Sequence, residues 1–379
     1  MKKLMSFLLA ATLVLSVAVT GCGNKSDEKD GNQGTGLKIA VCTSPTGVDD
    51  GNFNENNYNG VLKFIEEHED ASVTAVREES ADPAAAVQAV SDIVGDYDVI
   101  VCCGFQFAGI GTVAEENPDN KFILVDTNPT DAEGNAMECE NVYAMTFAEQ
   151  ESGFMAGVSA ALESKTKKVA VVNGIAFPSN VNYQYGFESG VNYANKNFDA
   201  GVEIVELPSY AGTDVTGKNV GGNYVGNFSD EATGKVVGTT LIKEGCDVLF
   251  VAAGGSGNGV FTAAKEDGNV KVIGCDVDQF DDGQNGSDNV ILTSVLKVMD
   301  QNVYKQLTAI SEEQFEGGNY LLQADTDSTG YVKEEGRQQL SEETIAKLEE
   351  VYALLKDGTI VPASNFNEIA PEDFPGLNK

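Results

Sequence analysis

Short apolar runs alternate with polar and helix-patterned segments along the chain from Leu37 onward. Runs of this length are typical of buried strands, and they read LKIAVCT, ASVTAV, YDVIVCC, KFILVD, KKVAVVNG, GVEIVEL, CDVLFVAA, VKVIGC and NVILTS. Between them, apolar residues recur at helical spacing, as at Tyr58, Val61, Leu62 and Ile65. The alternation predicts an α/β fold in which parallel sheets are flanked by helices.

This strand–helix pattern occurs twice, once on each side of the segment YAMTFAEQESGFMAG. We therefore expect two Rossmann-like lobes, each a parallel sheet flanked by helices, with a ligand cleft between them. The first lobe is expected to comprise residues 37–146 and 277–312. The second is expected to comprise residues 147–276 and 313–379.

The N-terminus has the order of an export signal. A basic MKK precedes the apolar stretch FLLAATLVLSVAV, which ends in VTGC at Cys22. This resembles the lipobox of bacterial lipoproteins, so residues 1–22 are expected to be a signal peptide whose Cys22 is lipidated. An ordinary signal peptide with a chance cysteine is the alternative. Residues 23–36 are polar and glycine-rich, which predicts a flexible tether.

The chain is strongly acidic, with a formal net charge of -35. Cleavage before Cys22 would also remove Lys2 and Lys3, leaving 22 basic against 59 acidic side chains. Nucleic acid is not expected as a partner, because its binding depends on Lys and Arg at the phosphates. The same charge disfavours polyanionic ligands, although most of these acids are expected to form only a solvated surface.

Several familiar motifs fail. GTDVTGKN resembles a phosphate-binding P-loop but ends in Asn219 where Ser or Thr is needed. The chain has one histidine, His68, so neither a zinc site nor a Ser–His–Asp triad is expected, and no cofactor or metal is predicted. Apart from Cys22, the cysteines lie mostly in strand-like runs and are expected to be buried free thiols.

Ligands of open parallel sheets lie beyond the carboxyl ends of the strands. The segments to consider are therefore residues 44–54, 104–107, 126–128, 174–183, 254–258, 276–279 and Lys297. Gly254 and Gly255 follow a strand and precede a helix, where a ligand can approach backbone N–H groups; a tight turn is the alternative. Acids after strands, such as Asp50 and Asp276, more often cap helices or accept hydroxyl hydrogen bonds than act as catalysts.

Several segments in order resemble the basic membrane protein family of bacterial lipoproteins, the purine-nucleoside-binding components of ABC importers. They are GVDDGNFNENNYNG, FILVDT, EQESGFMAGVSAAL, YQYGFESGVNYAN, VGNFSDEATGK, DVLFVAAGGSGNGV, VIGCDVDQ and ILTSVLK. The resemblance covers Leu37 to about Leu307 and implies a type I substrate-binding fold. It also implies a lipid-anchored protein on the extracytoplasmic face of the cell membrane, working with permease and ATPase subunits that are separate chains.

The resemblance also implies where a nucleoside binds. Phe53 and Tyr183 match aromatics that stack on the two faces of the base, and Asp276 with Lys297 match the ribose contacts. The remaining candidates are an acid after a first-lobe strand, the glycine turn and two residues of the first loop: Asp126, Gly254, Gly255, Ser44 and Asn54. Asp49 or Asp50 is expected to hold that loop. Packing against the following helix is the alternative for Phe53.

One departure concerns Ser44, which stands where the family usually has an aspartate that contacts the base. A serine hydroxyl both donates and accepts, so we expect looser base selection. Nothing in the sequence supplies a nucleophile or base, and we expect no enzyme activity. Two alternatives remain open: a sugar or signal-molecule receptor of the same fold, and a secreted nucleoside-processing enzyme.

Overall fold

A computed structural model describes residues 36–80 and 82–374. The predicted signal peptide, Cys22 and nearly all of the predicted tether lie outside the described residues. The strands are β1 Lys38–Thr43, β2 Ser72–Arg77, β3 Val99–Cys103, β4 Lys121–Val125, β5 Val142–Phe147, β6 Lys168–Asn173, β7 Glu203–Ile204, β8 Gly212–Thr213, β9 Asn219–Gly221, β10 Val248–Ala252, β11 Lys271–Gly274, β12 Gln284–Asn285, β13 Asp288–Asn289, β14 Ile291–Lys297, β15 Gly318–Leu322 and β16 Thr329–Tyr331. The α-helices are α1 Phe53–Glu67, α2 Pro83–Ile93, α3 Gly111–Glu116, α4 Glu149–Glu163, α5 Pro178–Asn197, α6 Glu231–Lys243, α7 Gly257–Asp267, α8 Met299–Ser311 and α9 Glu342–Lys356.

Two six-stranded sheets organise these elements. The first has the order β15-β5-β4-β3-β1-β2 and is parallel throughout. The second has the order β16-β14-β11-β10-β6-β7 and is parallel except for β16, which runs antiparallel to β14. Their central strands are buried on both faces, which explains their continuous apolar runs. The predicted α/β fold with parallel sheets and flanking helices is confirmed.

The strand pairings correct the predicted boundaries of the two lobes. β14 pairs with β11, so residues 291–297 belong to the second sheet although 277–312 was assigned to the first lobe. β15 pairs with β5, so residues 318–322 belong to the first sheet although they were assigned to the second lobe. An apolar run shows that a strand exists but not which sheet edge receives it, because pairing depends on non-local contacts.

Each sheet has one point where the strand order reverses. In the first sheet the chain goes from β1 outward to β2 and then back across β1 to β3. The second sheet repeats this at β6, with β7 on one side and β10 on the other. A crevice opens beyond the carboxyl ends of the strands at such a point. The loops after β1, β3, β6 and β10 are therefore where the fold can hold a ligand.

Helices α4 and α5 pack closely in the second lobe. A β-carbon added to Gly157 of α4 would overlap the carbonyl oxygen of Phe187, and one added to Gly190 of α5 would overlap that of Phe154. Glycines at these contacts let the two backbones approach, so the loop that precedes α5 is fixed relative to α4. Thirteen residues of α4, from Glu149 to Ala161, are buried.

The six described cysteines are free and buried, as predicted: Cys42, Cys102, Cys103, Cys139, Cys246 and Cys275. Among the described residues, no helix has both the length and the apolar character needed to cross a bilayer.

Candidate ligand-binding site

One cavity lies where the reversal-point loops of the two sheets meet. Its empty space measures about 700 Å³, counting the mouth, which is within the usual range for small-molecule sites. All nine residues predicted for the ligand site line it: Ser44, Phe53, Asn54, Asp126, Tyr183, Gly254, Gly255, Asp276 and Lys297. They come from six separate chain segments, so the fold brings together positions that are far apart in sequence.

The ammonium of Lys297 is the centre of charge in this cavity. Its Nζ lies 2.7 Å from Asp126 Oδ2, 3.3 Å from Glu149 Oε1 and 3.9 Å from Asp276 Oδ1. The Lys297 side chain is only 2 % exposed. Three carboxylates thus surround one cation in a site with little solvent, and the cation is already engaged by protein groups.

Asp126 and Asp276 occupy equivalent places in the two sheets. Asp126 directly follows β4, Asp276 is the second residue after β11, and each has the left-handed backbone conformation with φ of 67°. This conformation is uncommon for a residue with a side chain, and Asp is among the residues that adopt it most readily. The turn directs both carboxylates to Lys297, and the strain is compensated by the ion pairs that result.

Burial shifts the proton equilibria of the cluster. Burial raises the pKa of Glu149 to about 7, against the opposing effect of Lys297. Burial likewise raises the pKa of Asp126, again opposed by Lys297. Burial alone would lower the pKa of Lys297, but the three carboxylates outweigh it and the pKa lies above its ordinary value. The lysine therefore stays charged at neutral pH.

The first loop is held by Asp50. Its carboxylate accepts hydrogen bonds from the backbone N–H groups of Asn52 at 3.0 Å, Asn54 at 3.1 Å and Glu55 at 3.0 Å. Asp49 is exposed. Of the two acids expected to hold the loop, Asp50 does so, and it fixes the start of α1 where Phe53 projects.

The amide of Asn54 has a fixed orientation. Its Nδ2 donates to Ser44 Oγ at 3.0 Å, to Thr46 Oγ1 at 2.7 Å and to Asp50 Oδ2 at 2.9 Å. Its Oδ1 is buried without a hydrogen-bond partner among the described residues, and the same holds for Asn52 Oδ1 and Asp126 Oδ1. The cavity wall thus contains unused acceptors, which is the arrangement that a ligand rich in donors requires.

Tyr183 lines the cavity, but protein atoms cover most of its ring. The residue is 3 % exposed, and its ring packs edge-on against Phe250 with centroids 5.7 Å apart. Its hydroxyl donates to Asp276 Oδ1 at 2.7 Å. Burial, followed by the charge of Asp276, raises the pKa of Tyr183, so the hydroxyl keeps its proton. The hydroxyl thus orients Asp276, while the residue also lines the cavity, and stacking of its ring on a base stays a prediction.

The cavity is also lined by three phenylalanines that the sequence analysis did not name as site residues. Phe105 follows β3, Phe177 precedes α5, and Phe228 follows the β8–β9 hairpin. The ring centroids are 5.1 Å apart for Phe105 and Phe177 and 6.0 Å apart for Phe177 and Phe228. All three are half-buried. They offer partly exposed ring surface to the cavity.

The glycine turn after β10 supports one of these rings. Gly254 has the left-handed φ of 52°, and a β-carbon there would lie in ordinary van der Waals contact with Phe228. A β-carbon on Gly174, in the corresponding turn after β6, would overlap the same ring. Both turns therefore form a backbone surface on which Phe228 lies. Gly254 does form a tight turn, as the alternative interpretation held, and Gly254 and Gly255 also line the cavity.

Comparison with known proteins identifies the family. The family model described as "ABC transporter substrate-binding protein PnrA-like", Bmp, matches residues 37–214 and 217–363. The chain belongs to the Bmp family. A substrate-binding protein of an ABC transporter binds a small molecule and acts with the transporter's other subunits, so the family is not one of enzymes. The predicted family resemblance is confirmed.

Similar proteins occur in several bacteria. The chain is 30% identical to Basic membrane protein A of Borreliella burgdorferi, over 84% of each chain. It is 29% identical to a CD4+ T-cell-stimulating antigen of Listeria innocua, covering 94% of this chain and 97% of that protein. It is 28% identical to the ABC transporter nucleoside-binding protein BmpA of Lactococcus lactis, covering 85% of this chain and 88% of that protein.

Solved structures agree on the fold. An ABC transporter solute-binding protein of Aeropyrum pernix superposes with a TM-score of 0.72 at 23% identity, covering 86% of this chain and 93% of that one. A second, from Conexibacter woesei, has a TM-score of 0.62 at 19% identity, covering 86% and 99%. The Bmp chain therefore has the type I substrate-binding fold that the sequence predicted.

Some cavity residues of the Bmp chain could have been found from its sequence. Phe105 and Phe177 lie in segments that follow predicted strands, and Phe228 lies in VGNFSD, which carries part of the family resemblance. Glu149 opens EQESGFMAG, which also carries it. Periodicity gave no reason to prefer these residues, because a half-buried aromatic and a buried acid both fit an ordinary helix start.

Proposed function

We propose that this protein captures nucleosides, with purine nucleosides as the main class, and delivers them to an ABC importer. The single observation that carries the proposal is the chemistry of the cavity wall. It combines exposed phenylalanine rings with a surplus of hydrogen-bond acceptors. A nucleoside has a flat base that stacks on rings and ribose hydroxyls that donate to carboxylates.

The charge of the cavity argues against phosphorylated ligands. Lys297 is the only Lys or Arg among the described residues that line it, and three carboxylates already engage its ammonium. A phosphate would meet Asp126 and Asp276 with no free cation to balance it. The protein is therefore proposed to bind nucleosides and reject their monophosphates. The name of the Lactococcus lactis relative, a nucleoside-binding protein, supports the same ligand class.

Calorimetric titration with a small panel tests the proposal. Adenosine, guanosine and inosine should bind, whereas their 5′-monophosphates, the free bases and free ribose should bind far more weakly. Binding of ribose alone would favour the sugar receptor instead. Equal affinity for a nucleoside and its monophosphate contradicts the proposal. Chromatography of the same mixtures detects released base. Its appearance would indicate a nucleoside-cleaving enzyme, and its absence would argue against one.

We propose that the base lies between Phe53 of the first lobe and Phe228 of the second. Phe53 and Phe228 are both half-buried and line the cavity. Replacing Phe53 or Phe228 by Ala should each weaken guanosine binding by about 1–3 kcal/mol, because stacking on one face of the base is lost. Titration calorimetry measures the change.

Phe366→Ala is the matched control for these variants. Phe366 is 44 % exposed and does not line the cavity, so its removal should leave the affinity unchanged. If the affinity of Phe228→Ala equals that of the wild type, the Phe228 ring does not contact the base. In that case Phe177, whose ring lies 6.0 Å from Phe228, is the next candidate.

Ser44 is proposed to make base selection loose. Its hydroxyl accepts from Asn54 and lies 2.9 Å from Thr46 Oγ1, so it is neutral and able to donate or accept. Adenosine, guanosine and inosine should bind within about tenfold of one another, or about 1.4 kcal/mol. Ser44→Asp should sharpen the preference for the base with more donors. A wild type that separates the three by several hundredfold contradicts this role.

Cys22 is proposed to carry a lipid that holds the protein on the extracytoplasmic face of the cell membrane. The motivation is the basic–apolar–small–Cys order of residues 1–22. In a bacterial host, Cys22→Ala should move the protein from the membrane fraction to the soluble extracytoplasmic fraction, as followed by immunoblot. Cys139→Ala is a suitable control. A Cys22→Ala protein that stays with the membrane shows that lipidation is not what retains it.

A further inference from the structure

Glu149 contacts the Lys297 cluster without lining the cavity. It is the first residue of α4, directly after β5 and Ala148, and it is 1 % exposed. Its Oε1 lies 3.3 Å from Lys297 Nζ, and its Oε2 accepts from Asn182 Nδ2 at 3.1 Å. Asn182 in turn accepts from the backbone N–H of Asn365 at 2.8 Å. The carboxylate is thus held in place from α5 and from the C-terminal segment.

The cluster carries more negative charge than its cation can balance. Asp126, Glu149 and Asp276 are 7, 1 and 14 % exposed, and one ammonium serves all three. Unbalanced charge is costly away from water, and a group in that situation tends to neutralise by changing its protonation. Asp126 has the shortest contact with Lys297. Asp276 is the most exposed to solvent and also accepts a hydrogen bond from the Tyr183 hydroxyl. Glu149 is the most buried of the three, and its 3.3 Å contact with the lysine is longer than the 2.7 Å contact of Asp126.

We propose that Glu149 is a positioning residue of the ligand site, which holds Lys297 when it is charged and becomes more fully protonated when a ligand fills the cavity. The proton comes from the solvent and forms an O–H bond on the Glu149 carboxyl group. This inference rests on the proposed function, because it concerns the same cavity. Glu149 acts through Lys297 and does not itself line the cavity.

The physical reason is the loss of water on binding. A neutral ligand displaces water from Asp126, Asp276 and Lys297, and this raises the energy of the surplus negative charge. In the free protein burial raises the pKa of Glu149 to about 7, so a small further rise is enough to add a proton at neutral pH. The groups that face Glu149 are Lys297 from β14, Asp126 after β4, Asp276 after β11, and Asn182 and Tyr183 from α5.

The sign of the pH dependence follows from linkage. If binding raises the pKa of Glu149, the bound state holds more protons than the free state. Affinity is then highest below the pKa of the free protein and falls as pH rises through the pKa of the bound protein. A rise of about one pKa unit, from the value of about 7 in the free protein, would make the dissociation constant roughly fivefold lower at pH 6 than at pH 8.

Titration calorimetry with guanosine in two buffers tests the proposal. At pH 7, HEPES and Tris differ in ionisation enthalpy, so proton uptake makes the observed heats differ. The wild type should show uptake of a fraction of a proton, and its dissociation constant should fall from pH 8 to pH 6. Glu149→Gln, which cannot take up the proton, should give equal heats in both buffers and a dissociation constant that does not change with pH.

Glu151→Gln is the matched control. Glu151 is a buried acid on the same turn of α4, but it accepts from Ala324 N–H and Thr329 Oγ1 instead of pairing with Lys297. It should keep the wild-type proton uptake. If Glu149→Gln does not fold, Asn182→Ala replaces it: loss of the amide donor should move the pH midpoint of binding upward.

Each outcome decides. Guanosine binding with equal heats in both buffers for the wild type overturns the inference and leaves the proposed function standing. Unchanged uptake in Glu149→Gln also overturns it, since the proton would then bind elsewhere. Likewise, an unshifted midpoint in Asn182→Ala excludes Glu149. A chain that binds none of the nucleosides overturns the proposed function, and the inference with it.

Discussion

Lys297→Met should lower the free energy of unfolding at pH 8 by about 3–5 kcal/mol, because it leaves Asp126, Glu149 and Asp276 without their cation. Breaking a buried ion pair from one side is far more costly than the net gain that the pair provides, since the remaining charges stay buried. Urea denaturation followed by circular dichroism measures the loss. We expect this to be the most destabilising change in the cavity.

The loss in Lys297→Met should shrink at low pH. Burial already raises the pKa values of Asp126 and Glu149, and without the lysine these values rise further above their unfolded values near 4. Such groups contribute stability below the unfolded pKa, and the contribution disappears as pH rises through the folded pKa. The variant should therefore recover part of its stability at pH 5.

An exposed ion pair provides the control for Lys297→Met. Lys235 Nζ lies 2.7 Å from Glu266 Oε1, but these side chains are 40 and 61 % exposed. Lys235→Met should leave both the stability and its pH dependence close to wild type. Equal effects of the two substitutions would show that the carboxylates around Lys297 reach solvent and are not a buried cluster.

Asp276→Ala should weaken ribonucleoside binding by about 1.5–3 kcal/mol, since a charge-assisted bond to a ribose hydroxyl is lost. In the wild type, 2′- and 3′-deoxynucleosides should bind more weakly than ribonucleosides, because the carboxylate then faces a missing donor. In Asp276→Ala that difference should vanish. Titration of guanosine and its deoxy forms into both proteins measures the two effects together.

A neighbouring acid separates this role from a general effect of charge. Asp278 Oδ2 accepts from Arg337 Nε at 2.6 Å and does not line the cavity. Asp278→Ala removes the same charge at a position two residues away and should keep the preference for ribonucleosides. If wild type does not distinguish ribo- from deoxynucleosides, Asp276 does not bind the sugar hydroxyls.

The fold could be predicted from sequence because its strands are buried on both faces. All nine predicted runs contain strands of the two sheets: β1, β2, β3, β4, β6, β7, β10, β11 and β14. β5 was missed because VYAMTF runs directly into the buried helix α4, so the whole stretch was taken as a boundary. β15 was missed because it is half-exposed, and β16 because it has only three residues. Where the chain passes between sheets depends on pairing, which no local pattern records.

The sequence predicted which chain segments form the site, but it did not predict the contacts of each side chain. Residues after strands converge because parallel strands share one edge, and this brought all nine predicted residues to one cavity. The contacts of Tyr183 could not be predicted, because sequence spacing does not show that its ring packs against Phe250 or that its hydroxyl donates to Asp276. Glu149 was missed because its significance arises from Lys297, which is distant along the chain.

The free cysteines fall into two groups that report different motions. All six lie in the apolar cores, but Cys103 and Cys275 also line the cavity, whereas Cys42, Cys102, Cys139 and Cys246 do not. A thiol reagent reaches the first pair when the two lobes move apart and reaches the others only when a lobe itself opens. Mass spectrometry of a labelling time course can therefore separate cleft opening from unfolding in the unmodified protein. A bound nucleoside should slow labelling of the first pair selectively, so the chain carries its own probes of ligand occupancy.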